Sequence, residues 1–336
     1  MDDIKKTSET KKKDNMVRRR TQKRRFKITT ELVLFLINLA VFIFMSLYTD
    51  NFLTQYNISN VFRQVSIIGV VAISSTLVII SGGIDLSVGS IVGLTAMISA
   101  VLMSESYQNM AILPAVVLAV SSGLMVGVYH GFIIYEIKLP PFIATLGSMF
   151  VVRGIVKMIS GARTIAHLPS AFTDFAKQEV LGVPGLVILW LLIALAVHFM
   201  LRYTTFGRNI FVIGSSQEVA RLSGIRMRLN FYGIYILAGL LCSIAGVMLS
   251  SRISSAVPTG GSGYELTAIA AAVIGGASLS GARGSVLGTL MGTLLMGLLT
   301  NVGVHLNIDP FLMQSITGAL LTIAVVIDQF RQRDQR

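Results

Sequence analysis

The sequence predicts an all-α polytopic membrane protein of about ten transmembrane helices, built from two related halves. Three observations predict it. Hydrophobic residues make up 53% of the chain and charged residues 13%, with a mean hydropathy of +0.74, far more apolar than a soluble domain. Long apolar stretches recur along the whole chain, most of them close to the roughly 20 residues that a helix needs to cross hydrocarbon. A glycine-rich segment also occurs twice between such stretches, as 81–90 and again as 275–285.

The elements follow in order. Residues 1–30 form a basic tail whose first 27 residues hold twelve lysines and arginines against Asp2, Asp3, Glu9 and Asp14, a net +8 of the chain's +12. A basic run before an apolar segment holds that end in the cytoplasm and suits contact with anionic lipid headgroups. Without a folded recognition module beside it, it does not indicate nucleic-acid binding. A membrane domain then occupies 31–330, with apolar stretches at 31–48, 62–80, 88–104, 111–134, 141–159, 183–201, 230–250, 264–279, 285–302 and 310–328. Segments such as 186–201 and 237–249 have no polar face, which excludes a soluble helical protein. Alternating short strands, the mark of a membrane barrel, are absent.

Charge orients the helices. With the N-terminus inside and ten spans, segment 202–230 is cytoplasmic and carries Arg202, Arg208, Arg221, Arg226 and Arg228 against Glu218 alone. The tail 331–336, with Arg331, Arg333 and Arg336, falls on the same side. The loops 104–110 and 301–309, placed outside, contain no Lys or Arg. Arg153 and Lys157 share one helix face, where long cationic side chains reach for headgroups.

Several chemistries are excluded. Cys242 is the single cysteine, so no intrachain disulfide forms. His130, His167, His198 and His305 show no ligand spacing. No phosphate-cradling Gly-x4-Gly-Lys-Ser/Thr loop, Gly-x-Ser-x-Gly elbow or His-Glu-x-x-His helix occurs. The chain is therefore read as neither an enzyme nor an ATPase, and it calls for no cofactor of its own.

Two regions carry the positive signal. In 81–90, Asp85 stands among glycines at membrane depth, and an ionisable residue beside breakable backbone marks a transport pathway. Aligning Gly82 and Gly83 on Gly275 and Gly276 also matches Leu86-Ser87 with Leu279-Ser280. Gly82, Gly83, Asp85, Ser87, Gly275, Gly276 and Ser280 are thus the candidate pathway residues. Asp85 has two available roles, contact with a polyol or capping of the helix that follows. The span count gives both copies the same orientation, whereas inverted repeats oppose one another. The second region is 206–229. Ser215 or Ser216 can cap a short helix there, Glu218 sits in its first turn, and Gly224 ends it.

The motif at 81–90 resembles the signature of the permease subunits of ribose-type sugar ABC importers. So do Pro140-Pro141-Phe142-Ile143-Ala144-Thr145-Leu146-Gly147 with Arg153-Gly154, the stretch 218–225, and Tyr264-Glu265-Leu266 through Leu279-Ser280-Gly281. The resemblance covers about 30–330. It departs at 214–219, where the family usually reads Gly-x-Asn-x-x-Ala, and Gly-Ala-Arg at 281–283 replaces a Gly-Gly-Lys-like run. It implies a type II importer-like permease in a bacterial plasma membrane, moving a monosaccharide. Its implied partners are a second permease copy or paralogue, a separate ATPase subunit that binds the ATP and Mg, and an extracytoplasmic sugar-binding protein. Ser215, Glu218, Ala220, Arg221, Ser223 and Gly224 would couple to the ATPase, and Arg153 and Glu265 would meet the binding protein. The alternatives are a branched-chain amino-acid-type permease and an ion-coupled secondary transporter, which generally needs more intramembrane acids than Asp85.

Overall fold

The computed structural model describes residues 29–49 and 51–333. Residues 1–28, which hold nearly all of the basic tail, together with residue 50 and the last three residues, lie outside them. Among the described residues there are thirteen helices and one small hairpin. In chain order these are α1 (Thr30–Tyr48), α2 (Gln55–Ile80), α3 (Val88–Met103), α4 (Ile112–Tyr135), α5 (Pro141–Ser160) and α6 (Ser170–Lys177). The hairpin β1 (Glu179–Val180) and β2 (Val183–Pro184) follows, then α7 (Gly185–Tyr203), α8 (Thr205–Ser215), α9 (Gln217–Leu222), α10 (Met227–Ile253), α11 (Tyr264–Ile274), α12 (Val286–His305) and α13 (Pro310–Arg333).

All ten apolar stretches are helices, and eight are long and apolar enough to cross a membrane. The other two, α3 and α11, have 16 and 11 residues. At 1.5 Å per residue they rise only about 24 and 17 Å, short of a hydrocarbon core of about 30 Å. The segment expected as 264–279 ends early, because Gly275 and Gly276 turn the chain at Ile274.

The centre is α2, buried at every residue from Val65 to Ile80, together with α10. In lipid, apolar side chains gain little from leaving the solvent for one another, so close backbone approach and interhelical hydrogen bonds decide the packing. Gly123 of α4 lies against Gly239 of α10, and the Trp190 indole of α7 lies over Gly69 of α2. Ser74 donates to the Ala238 carbonyl at 3.1 Å, and Thr76 meets Thr289 at 2.7 Å. Each such bond is worth about 0.6 kcal/mol in a membrane protein. The amphipathic α6 closes one end, its buried Phe172 accepting a hydrogen bond from Ser251. The outermost helix is α13, packed through Leu321, Ala324 and Val325 on α11.

Candidate functional site

The two glycine-rich segments are the breaks between α2 and α3 and between α11 and α12. Each begins with the same turn. After α2, the Gly82 amide donates to Ile79 and the Gly83 amide to Val78; after α11, Gly276 donates to Val273 and Ala277 to Ala272. Gly82 and Gly276 hold φ of +84° and +95°, left-handed values at which any Cβ is strained. These are two Schellman stops. The match therefore runs Gly82 on Gly276, one residue out of the register that the sequence suggests. The next helix starts at N-cap Ser87 in the first copy and at N-cap Ser285 in the second, where the path is longer.

Acidic side chains hold both breaks. The Asp85 carboxylate, only 3% exposed, accepts from the amide and the hydroxyl of Ser87 at 2.8 and 2.6 Å. It does not cap the first turn of α3; it closes a local turn ahead of it. On α5, Thr145 Oγ1 accepts the Leu86 amide at 3.2 Å and lies 3.2 Å from the Ile84 carbonyl oxygen. The second break has no acid of its own. Asp328 of α13 reaches in instead, accepting from Ser278 Oγ at 2.9 Å and from the Leu279 amide at 3.3 Å. Glu31 of α1 accepts from Ser285 Oγ at 3.1 Å. Neither acid belongs to a motif, so only the folded chain reveals them. Thr145 was within reach of sequence reading, inside the Pro-Pro-Phe-Ile-Ala-Thr stretch.

Of the candidate pathway residues, Gly82 and Ser280 are exposed, Gly276 is partly so, and Gly83, Asp85, Ser87 and Gly275 are buried. His130 of α4 and Tyr235 of α10 are buried in the body. Their rings are 5.9 Å apart, and His130 Nε2 and Tyr235 Oη are buried without a hydrogen bond among the described residues.

Arg153 and Glu265 turn toward one another. Arg153 Nη1 donates to the Gly260 carbonyl, and Glu265 Oε1 accepts the Gly263 amide at 3.1 Å. Gly89, in the first turn of α3, has no room for a methyl because the Glu265 carboxylate and the Gly261 carbonyl occupy that space. The starts of α3 and α11 thus meet at one point inside the body, with both charged groups half-buried there.

The expected surface helix is α9. Ser216 is its N-cap, accepting the Val219 amide at 3.3 Å, and Gly224 ends it with φ of +76°. Ser215 is the last residue of α8. Ala220 is the buried anchor. Glu218 and Arg221 pair with each other at 3.8 Å with most of each side chain exposed. Val219 and Leu222 are 54% and 75% exposed, an apolar pair at i,i+3 on a polar segment, and this spacing is the signal that reading for charge overlooked. One cleft is shared by α9 with Glu136, Lys138 and Pro140, and a second, lined by Phe206, Asn209 and Asn230, lies past its stop at Gly224. Arg228 and Glu136 pair at 2.6 Å across the rim of the first.

A membrane-crossing helical body, interrupted twice inside and carrying a short exposed helix on a cationic segment, is the framework of a multi-pass transport permease. A family model described as "Branched-chain amino acid transport system / permease component" matches residues 57–326, and the chain belongs to that family. It is 38% identical to the ribose import permease protein of Bacillus subtilis (strain 168), over 85% of this chain and 89% of that one. It is 33% identical to the D-allose transport system permease protein of Escherichia coli (strain K12), over 88% and 90%. It is 34% identical to the galactose/methyl galactoside import permease protein of the same strain, over 89% and 93%. No solved structure matches the chain.

Proposed function

We propose that this chain is the membrane-spanning subunit of an ATP-binding-cassette importer and carries a monosaccharide, a pentose or a hexose, inward. The observation that carries this reading is the sugar named in each relative just described, with coverage that extends over both breaks and α9. A soluble extracytoplasmic protein would deliver the sugar, and a separate ATPase would hold the ATP and Mg. Two permease chains, identical or paralogous, would enclose the path. Positive charge around α9 supports a cytoplasmic position for that face and for both termini.

Within this reading, the two breaks line the path and present Gly82 and Ser280 as its accessible backbone and hydroxyl. Asp85 shapes the first break from behind. The segment 206–229 is the ATPase contact, with Ser215, Glu218, Ala220, Arg221, Ser223 and Gly224 joined by Val219 and Leu222. Arg153 and Glu265 would have to be uncovered to touch a binding protein, and we assign them to holding the starts of α3 and α11 together.

The test is purification of the chain from its own membranes in mild detergent, with uptake of labelled ribose, allose, galactose and leucine by cells with and without it. Co-purification of a P-loop ATPase and loss of uptake of one sugar would support the proposal. Loss of leucine uptake alone would move it to the amino-acid branch that the family description names. Recovery of the chain without an ATPase would sink the importer reading.

A further inference from the structure

The penultimate residue of α8 touches both breaks. A methyl on Gly214 would run into the Ile80 carbonyl, at the end of α2, and into the Ala282 amide, in the second break. Those two groups are bonded to each other, the Ala282 amide donating to the Ile80 carbonyl at 2.8 Å. Gly281, at φ +86°, lies with its α-carbon side against the Gly214 backbone, and the position of a Cβ on Gly82 is 3.8 Å from Gly214 Cα. Three stretches of backbone that are far apart in sequence thus meet without an intervening side chain.

The other side of Gly214 leads directly to the surface. Ser216 is at once the C-cap of α8, donating its amide to Val212, and the N-cap of α9. One extended residue joins the two helices, so α9 cannot shift far without carrying the end of α8 with it. Backbone in direct contact transmits such a shift, because no side-chain rotamer is available to absorb it.

We propose that Gly214 is the positioning residue through which displacement of α9 reaches both helix breaks together. This rests on the reading of α9 as the ATPase contact. It adds that the two breaks, tied by the bond from Ala282 to Ile80, respond as one unit to a single point.

The test compares Gly214→Ala with Gly147→Ala and Gly154→Ala in the full complex. An added methyl meets no atom within 4 Å at either control position. Gly214→Ala is expected to lower sugar uptake at least tenfold. It should still co-purify with the ATPase, yet its ATP hydrolysis should no longer rise when loaded binding protein is added. Both controls are expected to stay within twofold of the unmodified chain. Uptake by Gly214→Ala within twofold overturns the proposal, and so does loss of its ATPase, which would place the effect at the docking surface.

Should Gly214→Ala fail to fold, amide exchange on the unmodified complex decides. Nucleotide binding is expected to change exchange at 81–87 and 278–284 along with 216–224. A change confined to 216–224 overturns the proposal. An unmodified chain that brings down no ATPase defeats the underlying reading instead, and that result is visible before any variant is made.

Discussion

Asp85 holds Ser87 twice, by its backbone amide at 2.8 Å and by its hydroxyl at 2.6 Å. The carboxylate is buried at the break between α2 and α3, and Ser87 is the residue from which α3 starts. Its effect on the direction of α3 is therefore exerted through Ser87.

That relationship makes a stability prediction. Asp85→Ala leaves two buried donors without an acceptor, at about 1–3 kcal/mol each, so its stability against unfolding in detergent should fall by about 2–6 kcal/mol. Asp85→Asn keeps an acceptor oxygen in the same place and should lose less than half as much. Equal losses in the two variants would show that the charge, and not the turn, is what matters.

At the second break the acid comes from elsewhere. Asp328→Ala should release Ser278 and Leu279 while leaving the first break unchanged. A cysteine placed at Ser280 should then react with a soluble maleimide several times faster in the Asp328→Ala background, and at the original rate with Asp328→Asn. No acceleration would mean that α13 does not hold this turn.

Exchange of charge on α9 separates folding from coupling. Exposed ion pairs are worth about 0.2–1 kcal/mol, and Glu218→Arg combined with Arg221→Glu keeps opposite signs at the same spacing. The amount of chain in the membrane should be unchanged while uptake drops at least tenfold. Uptake at the original rate would remove Glu218 and Arg221 from the contact.

The apolar part of α9 is tested by Leu222→Asp. The side chain is 75% exposed, so the fold should tolerate the change within about 0.5 kcal/mol. Recovery of the ATPase in a pull-down should fall several-fold, and undiminished recovery would confine docking to the charged residues.

The stop at Gly224 and the cap at Ser216 show how far local chemistry reads out. Caps and left-handed turns depend on a few adjacent residues, so α9 was legible except for the choice between Ser215 and Ser216. The ten apolar stretches were legible for a similar reason, since hydrocarbon demands long apolar runs whatever the neighbouring helices do. The short reach of α3 and α11 was less so, because an apolar run does not say how deep its glycine stop will sit.

The positions of Arg153 and Glu265 follow another rule. From the sequence, Arg153 reads as a charge reaching for headgroups or a binding protein, and Glu265 as a binding-protein contact or a plain helix cap. The fold instead brings Gly89, Gly260 and Gly261 between them, because α11 starts beside the first turn of α3. Likewise, nothing near 275–285 announces that Asp328 and Glu31 will serve the second break, since both arrive from other helices.

The sequence by itself determined an all-helical membrane body, the two breaks, the short surface helix and the family. Each of these is written in runs or turns of contiguous residues. Only the tertiary structure decided that both breaks meet at Gly214 and that distant acids hold the second. Those are contacts between segments many residues apart, set by how closely backbones can approach, and pattern along one chain does not encode that distance.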